Sequence, residues 1–183
     1  MRLPHTRVQV KQMSIPAQQM NWNFDNLFTG NLPDLVVIGL VSDTDNAGGY
    51  QTNPFNFRPF GVNRVEMRRN GEMVPSMGYT PNFTNGQYIK DYMMMQDQLG
   101  FRKGDKCVNL TPSEWADGYT IYAFKITDGP IGSGNEGPRS RSNTGSLRLD
   151  IGFAAGQVAI KVIVLSQSLG VIEIDEFKNI VVT

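Results

Sequence analysis

The segment Arg64-Val65-Glu66-Met67-Arg68-Arg69-Asn70-Gly71-Glu72-Met73-Val74 leaves few conformations open. Val65, Met67 and Arg69 alternate with Arg64, Glu66 and Arg68, the two-residue period of a half-buried strand. Asn70-Gly71 supplies the two positive φ angles of a type I′ turn, so a return strand must follow. A two-residue loop sets Arg69 opposite Glu72 and Met67 opposite Val74, an opposite-charge pair and an apolar pair on one face. Just upstream, Asn53-Pro54-Phe55-Asn56-Phe57-Arg58-Pro59-Phe60 is an aromatic crossing in which two prolines forbid a continuous strand.

Strand patterns recur on both sides of this hairpin. Val8 and Val10 alternate against Arg7, Gln9 and Lys11, a strand over 6–15 with one wet face, ended by Pro16. Met20, Trp22 and Phe24 share one face of a short strand over 19–24. The run over 35–41 is apolar on both faces, which suits a central strand, and a loop over 42–52 follows it. Residues 119–127 are again apolar on both sides. Leu147, Leu149, Ile151 and Phe153 alternate with Ser146, Arg148, Asp150 and Gly152. Val158, Ile160, Val162 and Val164 share a face over 157–165, and strands over 169–174 and 177–182 complete the set.

One stretch breaks the pattern. Tyr88, Tyr92, Met95 and Leu99 recur at helical spacing, with Ile89 and Met93 beside them, Asn85 as N-cap and Gly100 as stop. A helix cannot bury Met93, Met94 and Met95 against one surface, so at least one points away from the core. Thr111-Pro112-Ser113-Glu114-Trp115 opens a short helical turn with proline in its first position. The glycine- and serine-rich loop over 128–145 is too polar to pack.

Eight to ten strands with one helix inserted around 85–99 predict an all-β, antiparallel two-sheet sandwich, a jelly roll, as a single domain over 1–183. An α/β scheme is excluded because helices do not alternate with strands. Nineteen glycines and ten prolines in 183 residues fit short strands joined by turns. Seventeen basic residues balance seventeen acidic ones, so no net field draws the chain to nucleic acid or a membrane. The N-terminus lacks a signal peptide's apolar core and the run over 35–41 is too short to span a bilayer, which predicts a soluble, unsecreted protein. The sequons at Asn82 and Asn109 then read as chance matches.

Catalytic constellations fail one by one. A triad must use the single histidine, His5, in a terminal segment where a solvated tail residue is the simpler reading. Cys107 lies among Lys103, Asp105 and Lys106 and reads as a bystander. Residues 132–137 match G-x-G-x-x-G, but Pro130 and Pro138 stand where a strand and a helix are required. Residues 43–48 resemble the start of a calcium loop, yet Ala47 and Pro54 occupy ligand positions. Glu173 and Asp175 read as solvated edge charges. Arg139, Arg141 and Arg148 do not form the basic stripe of a nucleic-acid site. No catalytic residue, metal ligand or cofactor is expected.

Several phrases stand together as signatures: Asn26-Leu27-Phe28-Thr29-Gly30, Leu35-Val36-Val37-Ile38-Gly39, Asn53-Pro54-Phe55-Asn56-Phe57, Pro81-Asn82-Phe83-Thr84-Asn85-Gly86-Gln87-Tyr88-Ile89, Gly118-Tyr119-Thr120-Ile121-Tyr122-Ala123-Phe124, Gly145-Ser146-Leu147-Arg148-Leu149 and Val171-Ile172-Glu173-Ile174-Asp175. In this order, over 7–182, they resemble the C-terminal half of the double jelly-roll major capsid proteins of Polinton (Maverick) elements and adintovirus-like viruses. The resemblance implies a viral or virus-derived structural protein of the virion, assembled inside the host cell. Its partners would be further copies of the capsid protein, as a homotrimer and pseudo-hexameric capsomer once the upstream jelly roll is present, with minor capsid or penton proteins as further candidates. The chain departs from that family in carrying one jelly roll's worth of residues. On this reading the candidate subunit contacts are Phe55, Phe57 and Phe60 in the aromatic crossing and Met93, Met94 and Met95 on the helix. The alternative is a non-enzymatic glycan- or receptor-binding β-sandwich, for which Trp22 or Trp115 would be the platform.

Overall fold

The computed structural model describes residues 2–101, 109–127, 144–174 and 180–182. The strands are β1 (Arg2–Ile15), β2 (Asn21–Asn31), β3 (Leu35–Ser42), β4 (Val62–Arg69), β5 (Glu72–Met73), β6 (Ile121–Lys125), β7 (Thr144–Phe153), β8 (Ile160–Ile174) and β9 (Ile180–Val182). Three helices interrupt them: α1 (Asp43–Asn46), α2 (Ile89–Leu99) and α3 (Pro112–Ala116). Sheet A has the order β1-β8-β3-β6, with β9 also on β8, and sheet B the order β2-β7-β4-β5. Every pairing between these strands is antiparallel. First pairs with eighth, second with seventh, third with sixth and fourth with fifth. That nesting is a long hairpin rolled upon itself, the topology of a jelly roll.

The tip of the roll is the hairpin the sequence demands. Asn70 and Gly71 have φ of 52° and 89°, and Arg69 pairs with Glu72. The Arg69 guanidinium donates to the carbonyl of Ile126, 2.9 Å away, which ties the tip to the end of β6. In β2 the ladder slips between Phe24 and Phe28, where Asn26 takes φ of 54°. The bulge turns two consecutive residues, Leu27 and Phe28, into the core.

The core between the sheets is filled by Val36, Ile38 and Leu40 of β3, Tyr122 and Phe124 of β6, Ile160, Val162 and Val164 of β8, Val65 and Met67 of β4, and Leu147, Leu149, Ile151 and Phe153 of β7. Each such side chain stabilises the fold by roughly 1.5–3 kcal/mol relative to exposure. From α2, Tyr92 and Met95 join them, with Tyr88 and Leu99 packed at the margin, so the helical stripe is the buried one.

Four local readings change. Val8 and Val10 lie on the outer, exposed face of β1, while Met13 and Ile15 turn inward behind Lys11. Lys11 reaches inward because its aliphatic stem and ammonium find partners: Nζ sits 4.1 Å from the Phe28 ring centre and donates to the Leu27 carbonyl at 2.8 Å. The strand expected over 157–165 begins only at Ile160, leaving Val158 exposed, and it runs unbroken through 169–174. The helix begins at Ile89; Tyr88 is its N-cap, without a side-chain cap, and Asn85 lies outside it, whereas Gly100 ends it at φ of 79°. The loop over 42–52 contains α1, capped by Ser42 Oγ, and α3 has the proline-led capping box of Thr111 and Glu114. Cys107, Asp175, Phe177 and residues 128–143 lie outside the described residues.

Candidate interaction surface

The two outer faces of the sandwich differ in chemistry. On sheet B, Arg68 stands opposite Arg148 and Glu66 opposite Asp150. Pairing along each strand and diagonally between them resolves these like-charge rows: Arg68 meets Glu66 at 3.0 Å and Asp150 at 3.3 Å, and Arg148 meets Asp150 at 2.8 Å and Asp25 at 3.3 Å. This face is a charge lattice whose acids, Glu66 and Asp150, are largely covered by the arginines that pair them.

Sheet A turns a different set outward. Because Val36, Ile38 and Leu40 face the core, Leu35, Val37, Gly39 and Val41 face out. The register aligns Val10, Leu165, Val37 and Ala123 in one row across the four strands. The next row is Gln12, Ile163, Gly39 and Ile121. Gly39 leaves a seat that the aromatic crossing fills: a Cβ there would lie 2.6 Å from Phe57 Cδ1. Backbone bonds hold Phe57 in place, its N–H donating to Gly118 O and its carbonyl accepting from Thr120 N–H, each at 2.9 Å. Tyr119 faces Phe57 in a parallel bridge and is exposed, as are Phe55, Val8, Val10 and Leu165. The exposed apolar residues on this side are thus Val8, Val10, Leu165, Tyr119 and Phe55, while Leu35, Val41 and Ala123 are buried and the neighbouring rows carry Gln167, Lys125, Ser14 and Lys161.

The two lateral edges of sheet A are also unlike. Along β6, side chains occupy the outward backbone groups. Tyr79 Oη donates to Ala123 O at 2.6 Å and accepts from Ala123 N–H at 3.2 Å; Gln98 Oε1 accepts from Lys125 N–H at 3.0 Å; Trp115 Nε1 donates to Ile121 O at 3.0 Å. These groups come from the long connection carrying α2 and α3. Burial pushes the Tyr79 and Tyr122 hydroxyls above the usual phenol range, so both stay neutral; Tyr79 donates to Ala123 O, whereas the buried Tyr122 hydroxyl finds no partner among the described residues. Asp91 anchors the start of α2 by accepting from Thr80 N–H at 2.7 Å, and burial pushes its carboxyl above the usual carboxylate range. At the other end of the order, β1 has β8 on one side and its second edge free among the described residues.

Of the contacts expected from sequence, Phe55 is 73% exposed and Met93 is exposed beside exposed Ile89. Phe57 covers Gly39, and Phe60, at φ of 45°, packs partly against the core. Met94 is half-buried against the core and Met95 is fully inside it. The apolar row of sheet A escaped the sequence reading, because alternation in β1 gives a period without saying which set faces in. Trp115 is buried among Phe83, Tyr88, Tyr92 and Tyr122, so it cannot serve as a glycan platform. Trp22 is half-buried and edge-on to Phe24. His5 is a strand residue of β1, opposite Gly170, and not a solvated tail. A cleft of about 340 Å³ between Val62, Asn63, Thr80, Phe83 and Ala154 has no charged lining. Among the described residues no cluster of three potential metal ligands occurs, and no helix is long and apolar enough to cross a membrane.

No protein-family model matches the chain. An uncharacterized protein of Caenorhabditis elegans is 28% identical over 134 residues, 72% of this chain and 32% of that protein, so the chain spans about a third of the curated relative's length. Among solved structures, the capsid structure of the virus PBCV-1 gives a TM-score of 0.45 at 10% identity, covering 93% of this chain and 49% of that one. The major capsid protein of bacteriophage PM2 gives 0.37 at 16%, covering 92% and 45%. A chain in the cryo-EM structure of the Sputnik virophage superposes on the whole of this chain, and on 38% of its own length, with a TM-score of 0.60 at 10% identity. That similarity establishes a shared fold.

Proposed function

We propose that this chain is a jelly-roll domain of a viral or virus-derived capsid protein, whose work is assembly and not catalysis. The observation that carries the proposal is the nested pairing of eight strands, β1 with β8 through β4 with β5, together with superposition of the entire chain on part of a virophage chain. Fold alone does not specify function. Two further features support this one: exposed Val8, Val10 and Leu165 on the outer side of sheet A against a charge lattice on sheet B, and the ordered signatures that resemble the Polinton and adintovirus capsid proteins. The animal relative fits a virus-derived origin.

In this reading the chain is the second of two tandem jelly rolls, and three copies of the pair form a pseudo-hexameric capsomer in the virion. Contacts between neighbouring sandwiches use the outer face of sheet A, Phe55 at its margin, and Met93 on α2. Met94 contributes its exposed part, while Phe57, Phe60 and Met95 act by shaping the surface from beneath. Mass measurement in solution, alone and with the upstream jelly roll supplied, tests the assembly. Association of three copies in the second condition is the expected result, weakened by Phe55→Ser at about tenfold or more. Persistent monomers in both conditions would remove the assembly role.

A further inference from the structure

We infer that the free edge of β1 is a self-association edge: two copies of this chain join β1 to β1, antiparallel about a two-fold axis, and so continue sheet A from one copy into the other. This goes beyond the capsomer reading and rests on hydrogen-bond geometry.

The direction of each backbone group follows from the β6 edge. Ala123 directs its N–H and carbonyl outward at Tyr79, so Tyr122 and Phe124 bond β3. Val36 and Ile38 therefore face β6, while Leu35, Val37 and Gly39 face β8. Carried across β8, the alternation leaves Arg7, Gln9, Lys11 and Met13 of β1 bonded to β8. Thr6, Val8, Val10, Gln12 and Ser14 aim their N–H and carbonyl groups at the open side. Two bonds agree with this phase: Asp34 N–H donates to Gln167 O at 2.8 Å, and Ser166 Oγ donates to Gln9 O at 3.3 Å. Pro4 falls on an outward position, where its missing N–H breaks no bond to β8.

Monomeric proteins blunt such edges with charges, prolines or covering segments. The β6 edge is covered. On β1, Pro4 blunts the beginning and Lys11, an inward-turned charge held by Phe28 and Leu27 O, is the guard further along, yet neither occupies an edge-facing position between Thr6 and Ser14. The outward positions from Thr6 to Ser14 are uncharged, and Val8 and Val10 among them are 54% and 59% exposed.

Of the registers that leave Pro4 outside the ladder, one lets a second copy fit this edge with the most backbone bonds. With Val10 on the axis, Thr6 meets Ser14 of the second copy, Arg7 meets Met13, Val8 meets Gln12 and Gln9 meets Lys11. No cation opposes a cation, Pro4 stays outside the ladder, and about ten backbone bonds form. Placing the axis at Gln9 opposes Arg7 to Lys11; placing it at Val8 draws Pro4 into the ladder. In the favoured register the apolar row Ala123–Val37–Leu165–Val10 runs unbroken into its copy.

Sedimentation of the purified chain over a concentration series tests the inference. A concentration-dependent dimer is expected, and Val10→Pro should weaken it at least tenfold with the thermal midpoint nearly unchanged, since that N–H does not bond β8. Gln9→Pro, which removes a bond to β8, should lower the midpoint. In a Cys107→Ser background, Val10→Cys should give a disulfide-linked dimer on oxidation, because opposed Cα atoms lie about 5.5 Å apart, and Val8→Cys should not. A monomer at every concentration, the outcome a foreign strand as occupant requires, overturns the inference. A dimer indifferent to Val10→Pro does so too, and cross-linking through Val8→Cys overturns the register.

Discussion

Gly39 is occupied by its neighbour, in that the Phe57 ring stands where any larger residue would put its Cβ. Gly39→Ala should therefore destabilise the fold by about 1–3 kcal/mol. Adding Phe57→Ala should give a double variant less destabilised than the two single costs together, as urea unfolding of the four proteins would show. Asp91 gives a second test. Burial sets its folded-state pKa above the unfolded value, so folding takes up a proton. Its contribution is most favourable at pH below the unfolded value and is lost as pH rises through the folded one. Asp91→Asn, which keeps an acceptor for Thr80 N–H, should gain stability relative to the parent across that rise, read as thermal midpoint against pH. Neither role was visible in the sequence. Phe57 and Gly39 lie far apart along the chain, and an aspartate in the first turn of a helix ordinarily reads as a solvated helix-dipole partner.

The elements themselves were largely legible, since turn chemistry and periodicity are local. Asn70-Gly71 fixed a hairpin whose register the structure reproduces, and proline-led Thr111–Glu114 fixed α3. What failed were questions a period cannot answer. In β1 both alternate sets carried aliphatic length, and Lys11 won the inner face because Phe28 and Leu27 O receive it. The start of α2 was misplaced because the segment over 82–87 closes its own small loop, with Asn82 N–H and carbonyl both bonded to Gln87. The covered edge of β6 yields a test at this scale. Tyr79→Phe leaves Ala123 N–H and carbonyl without their partner, and Gln98→Ala does the same to Lys125 N–H; each should cost about 1–3 kcal/mol. Hydrogen exchange should accelerate at Ala123 in the first variant and at Lys125 in the second.

At the scale of the whole molecule, composition and strand count pointed to an antiparallel sandwich, but strand order was out of reach. Order is set by pairings between residues as distant as Arg2 and Glu173, about which local patterns are silent. Such remote pairings predict folding on the millisecond-to-second scale, measurable by stopped-flow fluorescence of Trp115. They also make β8 the strand that joins β1 to the rest of sheet A, because β1 and β3 both pair with it and not with each other. A chain terminated before Ile160 should show no cooperative melting in a calorimeter. On the ribosome the same arrangement becomes a problem of timing. The first strand emerges early with no partner in its sheet, the third gains only the sixth, and neither completes its pairing until the last long strand clears the exit tunnel.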